Sequence, residues 1–471
     1  MRRTKIVCTI GPATSATEKL RDIIRAGADI LRLNFSHGTI AEHRETARRI
    51  QAVAAELDKP VAILQDLPGP KIRLGAFRDG TIQLQPGDSF VLTTIDVLGD
   101  ASRVSVNYPN LAAEVRPGQT LLLADGAIEL QIQEVRPPNI HCRVIHGGEL
   151  SNHKGVTVPR GALKLDAFTA QDRPLLLAGL DMGIDLVALS FVRSPADILT
   201  VREFLAHREP DMPIMAKIEK PEALDVLDDI LTVADAVMLA RGDLGVELSP
   251  AEVPMVQKDV IAKAVHAAKP IITATQMLRS MVENPRPTRA EATDVANAVL
   301  DGSDAVMLSE ESAIGAYPVE AVKMLAAIAA HAEKRLIAQG SLTIPPDRQS
   351  LSTSAAIGHA ACVLAHEAGA VAIVCCTRTG RTAQLVAKHR PAAPIIAVCR
   401  HATTVRRLML TWGVMPVLTA DYDSLDAMLQ EALVAALRTG LVSPGDKVVI
   451  TGGAPSAPPG RTDFIRVATV P

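Results

Sequence analysis

The stretch Pro213–Asp243, PIMAKIEKPEALDVLDDILTVADAVMLARGD, decides how this chain is read. Two short apolar runs, Pro213–Glu219 and Asp235–Ala240, lie either side of a segment with helical spacing. Continuous apolar runs separated by helices fit parallel strands buried on both faces. Both runs stop in charge: Lys217-Ile218-Glu219 ends the first, and Arg241-Gly242-Asp243 follows the second. Catalysis in a parallel α/β barrel sits on the loops after such strand ends.

The pattern repeats outward. Lys5–Ile10, Asp29–Phe35 and Val61–Leu67 are expected strands on the N-terminal side. Ser15-Ala16-Thr17-Glu18 reads as a capping box that opens a helix carrying Leu20, Ile23 and Ile24, with Gly27 stopping it. Ile50, Val53, Ala54 and Leu57 mark one face of the next helix. Asp185–Val192, Pro270–Thr275 and Asp304–Ser309 supply the remaining strands. Three strands before residue 70 and five after residue 165 make eight, the number of a TIM (β/α)8 barrel. An open doubly wound sheet is the competing arrangement. Between the two groups the texture changes to short alternating runs. Asp79-Gly80, Pro86-Gly87-Asp88, Pro117-Gly118, Asp125-Gly126 and Gly147-Gly148 punctuate them, which predicts a small all-β insert.

Beyond the barrel, Gln339–Ser352 is polar and contains proline, as a linker does. Expected strands resume at Val371–Cys376, Pro394–Val398, Met415–Leu418, Lys447–Thr451 and Ile465–Val470, a Rossmann-like open α/β sheet. The expected domains are therefore a barrel from 1–69 and 166–340, a β-barrel-like lid from 70–165, and an α/β regulatory domain from 345–471.

Composition narrows the function. One Trp, three Tyr and seven Phe in 471 residues leave few rings for base stacking, and a net charge of −3 offers no basic stripe. Nucleic acid is not an expected partner. Met1-Arg2-Arg3 precedes too short an apolar run for a signal peptide, and no stretch reaches membrane-span length. The six cysteines form no Cys-x-x-Cys pair, the pattern of reduced thiols in a cytoplasmic protein.

Six expected strand ends carry charge, hydroxyl or amide: Arg32 to Gly38, Asp66 to Arg73, Lys217 to Glu219, Arg241 to Asp243, Thr273 to Gln276, and Ser309 to Glu311. Singly, a Lys-x-Glu is a salt bridge, Arg-Gly-Asp a turn and Asn-Phe-Ser-His-Gly a helix cap. At successive strand ends they exceed what a structural barrel needs.

The runs LRLNFSHG (31–38), IMAKIEKPEAL (214–224), LARGDLGVE (239–247), ITATQML (272–278), NPRPTRAEATDVANAVLDGSDAVMLSEES (284–312) and CTRTGRTA (376–383) closely resemble pyruvate kinase. The resemblance runs over essentially the whole chain, in the same three-part order. It implies transfer of a phosphoryl group from phosphoenolpyruvate to ADP, the last step of glycolysis. It also implies site roles. Glu219 and Asp243 resemble the ligands of Mg2+ (or Mn2+), with a second Mg2+ arriving on ADP. Lys217 resembles the cation that stabilises the transferring group, and Arg32 the contact to substrate phosphate. Gly242 and Thr275 resemble substrate contacts, and Ser309 with Glu311 a water-linked proton relay. Asn34, Phe35, Ser36, His37, Arg73 and Lys154 resemble nucleotide contacts, Lys154 coming from a lid that closes over the site.

Two departures matter. The usual Asp-Thr-Lys-Gly-Pro-Glu-Ile-Arg loop is here Asp66-Leu67-Pro68-Gly69-Pro70-Lys71-Ile72-Arg73. The usual form binds K+ through the positions of Asn34, Ser36, Asp66 and the Thr, and Leu67 has no hydroxyl to offer. Lys71 is therefore expected to replace the cation, kept charged by Asp66, so that K+ is not required. Glu310 stands where many members carry Gly. In the third domain, Thr377, Arg378, Thr379, Gly380, Arg381 and Thr382 follow a strand and open a helix, suiting a sugar-phosphate or nucleotide effector. The loop Gly452–Arg461 is expected to complete that site. A homotetramer is implied by the resemblance. The competing functions are a Mg2+-dependent lyase or aldolase acting on phosphoenolpyruvate or pyruvate, and a regulatory binding protein on the same scaffold. The first leaves Lys217, the insert and the third domain unexplained. The second leaves Lys217, Glu219, Asp243 and Thr275 intact for no purpose.

Overall fold

The computed structural model describes residues 2–159, 163–338, 352–455 and 460–471. The expected linker lies outside them except for Ser352. Among the described residues, eight parallel strands close into a barrel: β1 (Lys5–Ile10), β2 (Ile30–Asn34) and β3 (Ala62–Asp66). After the insert come β12 (Leu186–Leu189), β13 (Ile214–Ile218), β14 (Ala236–Ala240), β15 (Ile271–Ala274) and β16 (Ala305–Leu308). The order around the barrel is β1-β16-β15-β14-β13-β12-β3-β2. The closed barrel thus prevails over the open sheet. With so few aromatic rings, aliphatic and methionine side chains fill the interior: Val7, Ile30, Leu64, Met215, Met238, Ile272 and Met307 are buried there beside alanines.

The insert holds β4 (Thr81–Leu84), β5 (Ser89–Thr93), β6 (Arg103–Ser105), β7 (Thr120–Leu123), β8 (Ile128–Arg136), β9 (Asn139–His146), β10 (Gly148–Ser151) and β11 (Val156–Thr157). They form a six-stranded sheet, β11-β7-β8-β9-β5-β6, beside the pair β10-β4. One helical turn, Leu111–Glu114, is the exception to the all-β expectation. The insert has its own core around Phe90, Leu92, Leu121, Leu130 and Ile140. Its return to the barrel is gripped by Arg193, whose guanidinium donates to the carbonyls of Leu163 and Leu165.

The last sheet runs β19 (Val414–Leu418), β18 (Ile395–Cys399), β17 (Ala372–Thr377), β20 (Lys447–Gly452) and β21 (Phe464–Thr469). The first four are parallel and β21 is antiparallel, so this is a mixed sheet with one reversed edge strand.

One local expectation fails. The first helix starts at Thr17 with Ala16 as its cap, and no side chain caps it. The Ser15 amide bonds back to Gly11. The Gly11–Thr14 turn is pinned by the Thr14 hydroxyl donating to the Ser312 carbonyl at 2.9 Å, which sets the chain's entry past the Ser15 cap position. Gly27 does stop this helix, at φ +125. A capping box forms instead at Thr39 and Glu42, opening the helix Ile40–Glu56.

The third domain clamps the strand bases. Arg390 bonds both oxygens of Asp304, just before β16, at 3.1 Å, and the Trp412 amide donates to Asp304 at 3.0 Å. The Trp412 ring lies between the guanidiniums of Arg3 and Arg390, 5.2 and 5.0 Å from its centroid. Arg406 pairs with Asp185, just before β12, at 2.7 Å. Arg390 and Asp304 are both buried, so truncating one strands the other's charge. Arg390→Ala is expected to cost about 3–5 kcal/mol, read as a lowered thermal midpoint. An unchanged midpoint would show that the clamp is not structural.

Candidate active site

The barrel register brings β13 and β14 side by side, with Lys217 beside Met238 and Ile218 beside Leu239. Glu219 and Asp243 therefore rise from adjacent strand ends. The Lys217 ammonium is buried among Glu219 Oε1 at 2.9 Å, Asp66 Oδ1 at 3.2 Å and the Ser190 hydroxyl at 2.7 Å. Burial pulls its pKa down, but Asp66 and then Glu219 pull harder, and the ammonium is held charged. Arg32 donates to Asp66 Oδ2 at 2.6 Å and to the Thr9 hydroxyl at 2.8 Å. Two cations on one carboxylate keep Asp66 ionised: burial alone would raise its pKa, yet Lys217 and Arg32 carry it below the usual value. Glu219 moves the other way. Burial raises it, Lys217 opposes this, and the nearby Asp243 charge adds to the rise. Two hard carboxylates on neighbouring strands, one of them destabilised as an anion, suit a divalent cation that takes remaining ligands from water and substrate.

On the far side, Thr275 and Gln276 both adopt left-handed backbone, φ +71 and +56. Such residues persist only where neighbours hold them. Arg241 does so, donating to the Thr275 carbonyl at 2.9 Å while pairing with Asp294 at 2.7 Å. The Thr275 hydroxyl accepts from the Gly242 amide at 2.7 Å, so these two expected substrate contacts touch each other. Glu311 accepts from the amides of Leu278 at 3.0 Å and Ser309 at 2.8 Å, tying two loops together. The Ser309 hydroxyl is buried without a hydrogen-bond partner among the described residues. Glu310 turns away and pairs with Arg279.

The family model for the pyruvate kinase barrel domain matches residues 1–322, and that for the pyruvate kinase alpha/beta domain matches residues 355–468. The chain belongs to the pyruvate kinase family. It is 48% identical over 477 residues to pyruvate kinase 2 of Synechocystis, covering 100% of this chain and 79% of that protein. It is 43% identical over 475 residues to the pyruvate kinase of Staphylococcus aureus, covering 100% of this chain and 81% of that one. The crystal structure of a pyruvate kinase from Cryptosporidium parvum superposes with a TM-score of 0.93 at 34% identity, over 100% of this chain and 96% of the other. The chain is thus a glycolytic phosphotransferase of a family that generally uses a divalent metal.

Next to these strand ends the loops after β1 and β2 enclose further space. A cavity of about 860 Å3 runs from Thr9–Pro12 past Asn34 and His37 to His43. Phe35 stacks on His43 with centroids 4.1 Å apart, fixing its wall. Asn34 Oδ1 accepts from the Ser36 amide at 3.2 Å, closing the turn after β2. Burial lowers the His37 pKa, and the positive charges of Arg73, Arg32 and Lys71 add to the fall. Arg73 reaches the His153 carbonyl at 3.1 Å, next to the exposed Lys154 on the insert.

Lys71 corrects one expectation. Its ammonium does not pair with Asp66; it lies 3.4 Å from Asp243 and 3.8 Å from Asp125 at the insert's β7–β8 turn. Arg32 and Lys217 already occupy Asp66, so a third cation there would face two like charges. Lys71 turns to the less neutralised carboxylates.

In the third domain, Thr377, Arg378, Thr379 and Thr382 line a pocket with Arg400, Tyr422 and Arg461. The Thr377 hydroxyl accepts from the Gly380 amide at 2.9 Å, and Thr382 bonds Thr462 at 2.8 Å. Arg381 leaves this group: it donates to the Ala268 carbonyl at 2.8 Å, at the end of the helix Val253–His266, and joins the domains instead. Residues 456–459 of the expected closing loop lie outside the described residues. Ser190, the first residue after β12, was not singled out from the sequence, although it is a hydroxyl directly following an apolar strand. Sequence reading also missed Asp125, Arg400 and Tyr422, which only the tertiary fold brings to their sites.

Proposed function

We propose that phosphoryl transfer from phosphoenolpyruvate to ADP is carried out at Lys217, Arg32, Glu219, Asp243 and Thr275. The observation that carries this is the buried Lys217 ammonium fixed between Glu219 and Asp66 at the mouth of the barrel. The transferring group spreads negative charge over three oxygens, and a preorganised cation meets it without reorganising. Glu219 and Asp243 would hold Mg2+ (or Mn2+), which when bound neutralises charge on substrate and phosphate oxygens. Arg32, oriented by Asp66 and Thr9, grips the substrate phosphate. The substrate carboxylate accepts from the Gly242 amide in place of the Thr275 hydroxyl oxygen, and Thr275, whose hydroxyl donates to the Ala274 carbonyl at 2.6 Å, is assigned beside the substrate methylene carbon. The enolate is protonated at carbon on the Thr275 side, and a relay through Ser309 and Glu311 is assigned there, Ser309 supplying the hydroxyl. The adenosine of ADP fits the cavity beside Asn34, Phe35, Ser36 and His37, with Arg73 and Lys154 on its phosphates. Closure of the insert then excludes water.

Lys71 is proposed to stand in for K+, making the enzyme K+-independent. Its ammonium, 3.4 Å from the Asp243 carboxylate, puts a positive charge beside the site and supports this. The experiment is pyruvate formation from phosphoenolpyruvate, ADP and Mg2+, with and without K+, in buffer free of other small monovalent cations. Full rate without K+ is expected in the parent, and a K+ requirement in Lys71→Glu. A parent that works only with K+ keeps the kinase and discards this role for Lys71.

The pocket at Thr377–Thr382, with its arginines, is proposed to take a phosphorylated effector. A substrate saturation curve unmoved by candidate sugar phosphates and nucleotides would count against it. A homotetramer is proposed from family membership, and sedimentation of the full chain tests it. All six cysteines are unpaired and buried, which suits a cytoplasmic location.

A further inference from the structure

Ser190 follows β12 and is 2% exposed. Its hydroxyl accepts from the Lys217 ammonium at 2.7 Å and donates to the Leu67 carbonyl at 2.7 Å. The next residue, Phe191, is left-handed at φ +57, and its amide donates to Glu219 Oε2 at 2.8 Å. One dipeptide therefore holds both the ammonium and the first carboxylate of the site. The loop after β3 packs tightly on it: a Cβ on Gly69 would stand 3.0 Å from the Ser190 Cβ and 3.1 Å from the Phe191 ring. Gly69, at φ +64, is the residue that permits this approach.

We propose that Ser190 is a positioning residue for phosphoryl transfer, acting through Lys217. The proposal rests on the reading of Lys217 given above. An ammonium has three donors that turn freely at the end of a flexible stem, so its partners fix where they point. Here Asp66, Glu219 and Ser190 take them as a tripod. When Glu219 gives up its bond, Asp66 and Ser190 keep two N–H groups, and the third faces the transferring oxygens. The Leu67 carbonyl takes the Ser190 proton, so a hydroxyl lone pair is turned to the lysine. A neutral hydroxyl directs the ammonium without neutralising it, which a third carboxylate would do. Without Ser190 the long lysine chain settles toward the carboxylates, and misplacement of this kind is expensive in rate.

The test uses the full chain carrying Ser190→Ala, Ser190→Thr or Ser190→Cys, with Lys217→Met as the control. Measured are kcat, KM for phosphoenolpyruvate and the thermal midpoint. Ser190→Ala is expected to lower kcat about 10-fold to 100-fold, the usual range for a supporting partner of a site residue. KM should stay within about threefold, since the lost interaction serves the transition state. Ser190→Thr, which restores the hydroxyl, should recover most of kcat. If the alanine variant does not fold, Ser190→Cys carries the test, because its thiol bonds weakly at similar volume. A kcat within about twofold of the parent in the alanine or cysteine variant would overturn the proposal. So would a loss carried wholly by KM. If Lys217→Met keeps full kcat, the reading of Lys217 falls and takes this proposal with it. If Lys217→Met is inactive while Ser190→Ala turns over normally, only this proposal falls.

Discussion

Replacing Lys217 with Met is expected to lower kcat by at least about 1,000-fold, with a much smaller change in KM for phosphoenolpyruvate. Lys217 is 8% exposed, so little solvent is at hand to replace its charge. Its charge is aimed at the site by three fixed partners, so its effect falls mainly on the transition state. The substitution also removes the counter-charge of Glu219, which is buried beside Asp243. Glu219 should then take up a proton more readily, adding to the loss. Arginine is not an equivalent replacement, because its planar fork does not fit a tripod built for a point charge. Steady-state kinetics at saturating ADP and Mg2+ makes the comparison. A variant with kcat within about tenfold of the parent would remove Lys217 from the centre of the mechanism.

Glu219→Gln is expected to lower Mn2+ affinity about 10-fold to 100-fold and kcat by a comparable or larger factor. Glutamine keeps an oxygen for the Phe191 amide but turns its NH2 toward Lys217, so the charge and the bond to the ammonium are lost together while Asp66 and Ser190 still hold the lysine. Direct titration of Mn2+ by paramagnetic resonance reads the affinity without relying on turnover. Unchanged Mn2+ affinity would place the divalent ion away from Glu219.

Most of the fold was legible because its signals are local. The eight barrel strands are short apolar runs ending in polar residues, and the register places those ends on one face. Lys217, Glu219, Asp243 and Arg32 could be found from that rule alone. What could not be read depends on contacts distant in sequence. Lys71 was expected beside Asp66, its neighbour along the chain, but only the fold shows that Arg32 and Lys217 have taken that carboxylate. Arg381 sits inside a phosphate-like motif, yet its length lets it reach the barrel helix. Ser15 looked like a cap until the Thr14–Ser312 bond, spanning almost the whole barrel sequence, fixed the turn before it. Ser190 carries no motif at all; its importance comes from who its neighbours are.

The most direct measurement is the stoichiometry of products when the purified full chain is incubated with phosphoenolpyruvate, ADP and Mg2+. The account predicts one ATP formed for each pyruvate, with both dependent on the divalent ion. Pyruvate released without ATP, or no turnover of either substrate, would contradict it.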